Sequence, residues 1–253
     1  MAERKKTAKK PARKPAAKKR TTKKKRPGLL TRISVFLRRL LWGAVFSALG
    51  FVLIATLIYA LIAPPTTPYM FGEGRRLGGV TQTWVDMEQI APVMARSAVA
   101  AEDANFCLHW GLDVNAIRNA VESGRGGAST ISQQVVKNVY LWHGRSWLRK
   151  AIEALWTPLT EAAWSKRRIL EIYLNVAEFD EGVFGVQAAA RHYFGVDAAD
   201  LSAVQAARLA AILPSPKNRS ASNPSQFTRN RARQIMSGAA TIAADGRADC
   251  FET

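Results

Sequence analysis

The 253-residue sequence is poor in the side chains that bind metals or form disulfide frameworks, with two cysteines and three histidines. It has no HExxH or CxxC spacing, so a zinc protease or structural zinc site is unsupported. Cys107 and Cys250 do not make a disulfide scaffold, and the sequence leaves open whether they meet. GxSxG and the GK[ST] ending of a Walker A loop are also absent, which leaves a serine hydrolase or a P-loop site unsupported.

Acidic residues are nearly absent from the N-terminal segment but not from the rest of the chain. Residues 1–39 hold 17 Lys and Arg but a single acid, Glu3, whereas residues 40–253 carry a net charge of +2. The high pI of about 10.5 is therefore no evidence that the folded part binds nucleic acid. We expect residues 1–39 to form a basic, disordered tail that sets topology and meets lipid headgroups. A tail that binds nucleic acid or a protein partner is the alternative.

A long uncharged run follows, from Leu40 to Ala63. As a helix these residues would span roughly 36 Å, against a hydrocarbon core of about 30 Å. A signal peptide usually has an apolar region of only about 7–15 residues, so we predict an uncleaved transmembrane helix. The preceding basic segment places the N-terminus in the cytoplasm and the remaining domain outside. In a double-membrane bacterium this means the inner membrane and the periplasm.

Helical periodicity dominates the rest of the chain and predicts a mostly α domain over residues 81–240, after a proline-stiffened linker at 64–80 and before a tail at 241–253. Asp86 is a candidate cap for a helix that continues toward Glu102. Ser129 or Thr130 is a candidate cap for the next helix. Further helices are indicated from Trp147, with Pro158 as a kink or break, and around residues 169–177 and 204–212.

The stretch EDANFCLHWG, residues 102–111, carries an unusual polar set. Glu102 and His109 are seven residues apart, so they share a face if the helix continues. A carboxylate between Phe106 and Trp110 can have a raised pKa, which suits a general acid or base. The alternative is a pair of ordinary surface acids with a satisfied core histidine.

Two further stretches offer places for an anion. In GRGGASTISQQVVKN, residues 124–138, a glycine loop feeds a helix N-terminus, and Gln133 and Lys137 lie one turn apart. In GRSWLRKAIE, residues 144–153, three cations accompany Glu153 and can bind a diphosphate. A plain ladder of salt bridges explains the second stretch equally well.

Five motifs occur in order: EDANFCLHWG, GGASTISQQVVKN, RKAIEA, KRRILEIYLN and GVFGVQAAARHYFG. Together they resemble the peptidoglycan glycosyltransferases, glycosyltransferase family 51, over about residues 80–225. The form GASTISQQVVKN resembles the monofunctional members, and we expect no transpeptidase domain after about residue 240. It implies a mostly α, lysozyme-like glycosyltransferase domain preceded by a single transmembrane helix.

The resemblance also implies roles for individual residues. Glu102 matches the general base and Glu153 the second essential carboxylate, near the leaving group. The substrate-binding residues fall into an acceptor-side set, a donor-contacting set and a set of diphosphate-binding cations: Asp103, Phe106 and His109; Ser129, Thr130, Gln133, Gln134, Lys137 and Asn138; Arg145, Arg149 and Lys150. The Glu171, Tyr173 and Asn175 group and the Gly182, Gly185, Tyr193 and Gly195 group match motifs with a mainly structural role. Val196 stands where many relatives carry Lys.

The reaction implied is the polymerisation of lipid II into β-1,4-linked glycan strands for cell wall synthesis, with release of undecaprenyl diphosphate. The partners implied are lipid II, the growing lipid-linked glycan and membrane lipids, with division or elongation proteins as an option and no nucleic acid. No cofactor is firmly implied and no metal ligand is assigned, although a divalent cation (Mg²⁺ or Mn²⁺) near Glu153 stays open. The alternatives are a lytic transglycosylase or muramidase, a membrane-anchored tethering protein, and a non-catalytic wall-binding module.

Overall fold

The computed structural model describes residues 28–124, 127–142, 144 and 146–252. Most of the predicted basic tail and one predicted site residue, Arg145, lie outside the described residues. The described helices are α1 Leu29–Tyr59, α2 Pro68–Leu77, α3 Pro92–Glu102, α4 Val114–Ser123, α5 Ile131–Tyr140, α6 Trp147–Ala163, α7 Lys166–Val176, α8 Val186–Phe194, α9 Ala203–Ile212, α10 Gln226–Ala244 and α11 Asp249–Glu252. Short 3₁₀ helices lie at Met87–Gln89, Phe106–Leu108, Ala198–Asp200 and Pro216–Asn218.

The chain divides into two compact units, residues 1–49 and residues 50–253. The described part of the first unit is the N-terminal part of α1. Within the described residues, α1 is the one helix long and apolar enough to cross a membrane, with a mean hydropathy of 2.2 over its most apolar window. It begins eleven residues before the predicted span, because no proline or glycine lies between Gly28 and Leu40. Residues 29–39, expected to be disordered, are therefore helical.

The second unit is organised around α7, in which every residue from Ile169 to Val176 is buried. One side of this core is formed by α5, which packs against α6 and α7. On another side α3, α9 and α10 pack together. Small residues permit this close packing: a Cβ added at Gly238 in α10 would lie 3.2 Å from the Cβ of Ala100 in α3. The prediction of a mostly α domain is confirmed.

Two prolines act differently from each other. The predicted helix from Met87 to Glu102 is interrupted, because Pro92 starts a new helix, α3, at its first turn. Pro158, by contrast, does not break α6, which continues to Ala163. Buried Trp156 and Thr160 on either side of Pro158 hold the helix together through tertiary packing.

A small sheet closes the core beside α7, from strands β1 Thr81–Gln82, β2 Glu178–Asp180 and β3 Val183–Phe184 in the order β1-β3-β2. β3 runs parallel to β1 and antiparallel to β2. Fully buried Asn175 in α7 joins the segment after β1: its side chain accepts from Val85 N–H at 2.9 Å and donates to Val85 O at 2.8 Å. Asn175 thus has the structural role that its motif predicts.

Gly185 passes directly against Asn175. Its φ of +80° is reached easily only by glycine, and a Cβ there would lie 2.8 Å from Asn175 O. Gly195 has a similar φ of +67°, but its added Cβ would meet nothing within 4 Å. Their ψ values differ: Gly195, at 20°, lies in the left-handed region, whereas Gly185, at 153°, lies in a region that essentially only glycine occupies. Gly185 therefore combines backbone strain with a close contact, whereas Gly195 has left-handed backbone strain alone.

We predict that Gly185→Ala lowers the free energy of unfolding by at least about 3 kcal/mol, since strain and overpacking each cost about 1–3 kcal/mol. The matched control Gly195→Ala should cost only about 1–2 kcal/mol, from the left-handed backbone alone. Denaturant titration of both variants measures the difference. Equal losses in the two variants would contradict the close approach of Gly185 to Asn175.

Cys107 and Cys250 form a disulfide, which answers the question that the sequence leaves open. The bridge joins the 3₁₀ helix Phe106–Leu108 to α11. Phe251 supports the same junction, since it is fully buried with its ring 6.3 Å from that of Phe106. α11 is therefore fixed beneath the loop that follows α3.

Loss of this bridge should destabilise the second unit. We expect Cys250→Ser to lower the free energy of unfolding by about 2–5 kcal/mol, because the disulfide closes a long loop in the unfolded chain. Denaturant titration with and without dithiothreitol provides its own control: the reductant should destabilise the wild type but not Cys250→Ser. A wild type that unfolds identically in both conditions would refute the bridge.

Candidate active site

Glu102 lies at the C-terminal end of α3, where the chain enters the loop of residues 103–113. Its carboxylate accepts a hydrogen bond from Gln134 Nε2 of α5 at 2.8 Å. Burial raises the pKa of Glu102 above its ordinary value of 4.5, whereas the Gln134 hydrogen bond and the charges of Arg231 and Lys137 act against this rise. A carboxylate in these surroundings is suited to accept a proton.

Asp103 comes next, but its side chain is only 3% exposed. His109 Nε2 lies 2.8 Å from Asp103 Oδ1, and the Ile131 N–H donates to Oδ2 at 3.0 Å. Ile131 is the first residue of α5, so the carboxylate satisfies a free N–H at the positive end of that helix. Since α3 ends at Glu102, the helix does not continue to His109 and the two residues do not share a helical face. The loop returns His109 to Asp103 instead.

The N-terminus of α5 is filled by protein groups. Thr130 is the cap, as one of the two sequence alternatives predicts: its Oγ1 accepts the Gln133 N–H at 3.2 Å and donates to Gly111 O at 2.6 Å. Gln133 Oε1 in turn accepts the Thr130 N–H at 3.1 Å. These bonds form a capping box. Substrate contacts by Thr130 and Gln133 stay predictions, and the anion place proposed at this helix end is taken by Asp103.

Phe106 is fully buried and lies in the main hydrophobic core. Its ring packs edge-on to the His109 ring, with centroids 6.5 Å apart. Here Phe106 supports the 103–113 loop from the interior. The acceptor-side role implied for it by the resemblance stays a prediction.

Glu153 lies on α6, only 2% exposed, with cations one turn before it. Its carboxylate bonds to Lys150 Nζ, and Arg149 Nη1 lies 3.5 Å away. Lys150 Nζ also donates to Ser129 Oγ at 3.1 Å, which connects α6 to the glycine loop. The structure thus contains the salt-bridge ladder that the sequence permits.

This arrangement does not fit a divalent cation at Glu153. Both carboxylate oxygens already face cations, which would repel a metal ion. Among the described residues, no three His, Cys, Asp or Glu side chains converge to hold a metal.

A cavity of about 450 Å³ brings several predicted residues together. Its polar wall includes Gln134, Lys137, Asn138 and Arg149, from α5 and α6. Burial lowers the pKa of Lys137, while the negative charges of Glu153 and Glu102 act against this shift. The cavity therefore presents cations in a partly dehydrated place, where a ligand anion would be attracted strongly.

A second, smaller cavity of about 220 Å³ lies against Glu102, Asp103, Ser129 and Thr130. Gln134 lines the larger cavity and donates to Glu102, which lines the smaller one. The Glu102–Gln134 bond therefore stands between the two spaces.

Sequence reasoning missed Tyr69 and Glu178, which line the larger cavity. Tyr69 Oη donates to Glu178 Oε2 at 2.5 Å, and burial together with this bond raises the pKa of Tyr69. An acid inside the apolar run from Val176 to Phe179 was an available signal for Glu178. Tyr69 lies 109 residues away in sequence, within the segment predicted as a linker, which instead contains α2.

Comparison with known proteins identifies the family. The family model described as Transglycosylase matches residues 73–240. A protein of Jannaschia sp. (strain CCS1) named biosynthetic peptidoglycan transglycosylase is 59% identical over 216 residues, covering 85% of this chain and 90% of the relative. Proteins of the same name from Caulobacter vibrioides and Pseudomonas putida (strain GB-1) are 44% and 46% identical, covering 85% and 83% of this chain and 98% and 90% of the relatives. The chain belongs to the transglycosylase family.

Proposed function

We propose that this chain is a peptidoglycan glycosyltransferase that polymerises lipid II into β-1,4-linked glycan strands, releases undecaprenyl diphosphate and has no transpeptidase activity. The names of the relatives support peptidoglycan transglycosylation. The observation that carries the chemistry is the position of Glu102, a partly buried carboxylate that lines the smaller cavity and bonds to Gln134, which lines the larger one. A transfer between two sugars needs a base with an acceptor on one side and a donor on the other.

The larger cavity suits the diphosphate of the donor. Lys137 and Arg149 both line it. Arg149 Nε is buried and has no hydrogen-bond partner among the described residues, so it is available to an anionic ligand. Burial disfavours the charged form of Lys137, and a negatively charged phosphate oxygen there would favour that form again.

In the proposed reaction Glu102 takes the proton of the acceptor 4-hydroxyl. The freed oxygen electron pair forms a bond to C1 of the donor muramyl sugar, while the bond from C1 to the phosphate oxygen breaks. The diphosphate leaves with that electron pair, and the anomeric centre inverts from α to β. Lys137 and Arg149 stabilise the charge that develops on the leaving group.

The proposed location is the inner membrane, with the N-terminus in the cytoplasm and residues that follow α1 in the periplasm. The Lys- and Arg-rich segment before the apolar run supports this orientation. The Cys107–Cys250 disulfide also supports it, because such bonds persist in oxidising compartments. A membrane tether keeps the enzyme in the plane of its lipid-linked substrate.

Glu102→Gln tests the base directly. The substitution preserves shape and removes the proton acceptor, so polymerisation of purified lipid II should fall by at least about 10²-fold. Glu122→Gln on α4, the loss of an exposed carboxylate outside both cavities, is the matched control and should keep normal activity. Glycan products are sized on a gel; near-normal polymerisation by Glu102→Gln would remove Glu102 from the mechanism.

The same wild-type protein should be incubated with intact sacculi. Release of soluble muropeptides, without growth of strands from lipid II, would support a lytic transglycosylase or muramidase instead. Strand growth without release from sacculi supports the proposal.

The pH dependence tests the hydrogen bond that tunes Glu102. A base must be ionised, so kcat/KM should fall as the pH drops through the raised pKa of Glu102, above 4.5. The Gln134 hydrogen bond lowers that pKa, so Gln134→Leu should move the acidic limb to higher pH. An acidic limb that stays in place, or moves to lower pH, would contradict the assignment.

A further inference from the structure

Six residues form a closed ring next to Glu102, joined by five polar contacts and one peptide bond. We call this group the polar ring. Its members, in order, are Asp103, His109, Lys166, Glu161, Ser132 and Ile131. They come from the loop 103–113, the start of α5, the end of α6 and the start of α7. The ring therefore joins three helices to the loop that begins directly after Glu102.

One half of the ring holds the loop. Asp103 Oδ1 lies 2.8 Å from His109 Nε2, and His109 O accepts a hydrogen bond from Lys166 Nζ, also at 2.8 Å. The same ammonium group lies 4.4 Å from the centre of the Phe106 ring, a cation–π contact. Lys166 thus fixes both the backbone and an aromatic anchor of the loop.

The other half holds the start of α5. Glu161 Oε1 accepts from Lys166 Nζ at 2.8 Å and from Ser132 Oγ at 2.5 Å. Ser132 follows Ile131, whose N–H closes the ring on Asp103 Oδ2 at 3.0 Å. A displacement of Glu161 would therefore disturb the partners of both Asp103 oxygens, His109 at Oδ1 and Ile131 at Oδ2.

The loop also passes Glu161 at a distance that only glycine tolerates. Gly111 has a φ of +79°, and a Cβ there would lie 2.9 Å from Glu161 Cγ and 2.6 Å from Thr157 Cγ2. Its carbonyl accepts the Thr130 Oγ1 hydrogen bond at 2.6 Å. Steric contact and hydrogen bonding thus hold the loop against α6 as well as α5.

Glu161 and Lys166 are charged but nearly enclosed, with side chains 2% and 13% exposed. An apolar pair of similar size generally stabilises a fold as well as a buried ion pair does. What an ion pair adds is a fixed, directional geometry. Neither residue lines the larger cavity or the smaller one, so in the described structure neither is placed to touch substrate there.

We propose that Glu161 and Lys166 are positioning residues for glycosyl transfer: through the polar ring they fix Asp103 and the loop 103–113, and so hold Glu102 in its reactive place beside Gln134. This inference rests on the proposed function, because it requires Glu102 to be the base. It assigns the ion pair a role in the rate of the chemical step rather than in substrate binding.

The test uses the full-length chain with purified lipid II. Lys166→Met keeps the aliphatic stem but removes both hydrogen bonds, so kcat should fall by about 10–100-fold, since a displacement of about 1 Å can cost this much. KM should change by less than about threefold, because no substrate contact is lost. Lys166→Arg keeps the charge and the donors and should recover most of the rate.

Two further variants separate positioning from folding. The double variant Glu161→Gln/Lys166→Met leaves no unpaired buried charge, so it should fold while keeping the low kcat. Amide hydrogen exchange at Ile131, whose N–H bonds to Asp103, should accelerate in Lys166→Met and in the double variant. Arg191→Met removes the cation of an exposed ion pair with Asp197 and is the control, with unchanged kcat and exchange.

The outcomes are distinct. If the wild type does not extend lipid II, the proposed function fails. Suppose instead that the wild type is active and Glu102→Gln is not. The positioning role is then refuted if Lys166→Met and the double variant both fold and keep a kcat within about twofold of wild type. It is also refuted by a tenfold rise in KM with kcat unchanged, since that would indicate direct substrate binding.

Discussion

The hydrogen bond from the Ile131 N–H to Asp103 sets the geometry of the site. Asp103 follows Glu102 directly, and Ile131 lies three residues before Gln134, so one contact locates the end of α3 against the start of α5. The contact is favourable on two counts: it satisfies a free N–H of the helix, and it places a negative charge at the positive end of the dipole. This contact therefore brings the Glu102 carboxylate close to the Gln134 side-chain amide.

Burial shifts the pKa values of Glu102 and Lys137 in opposite directions. It raises the pKa of Glu102 and lowers that of Lys137, so both groups are moved toward their neutral forms. Each charge in turn favours the charged form of the other. The site therefore holds its charges in a balance that an added phosphate or a transferred proton can shift, because charges interact strongly away from water.

Local pattern was enough to predict the helical domain, the long apolar helix and a cap at Ser129 or Thr130, because periodicity and capping depend on residues close together in sequence. The residues themselves singled out Glu102, and Glu153 with its neighbours Arg149 and Lys150, and the resemblance added their roles. The contact between Glu102 and Gln134 was not predicted. Whether the helix continues past Glu102 could not be predicted, since Asp103 bonds to Ile131, 28 residues later. Lys166 and Glu178 were missed for the same reason: their partners His109 and Tyr69 are 57 and 109 residues away.

The bridge between Cys107 and Cys250 gives the domain an order of completion. Cys250 is synthesised long after Glu102, Gln134 and Glu153, yet its partner lies in the loop that follows Glu102. A nascent chain can thus contain all three of these side chains while that loop still lacks its covalent anchor. That anchor forms only after residue 250 has been synthesised and the two thiols have been oxidised.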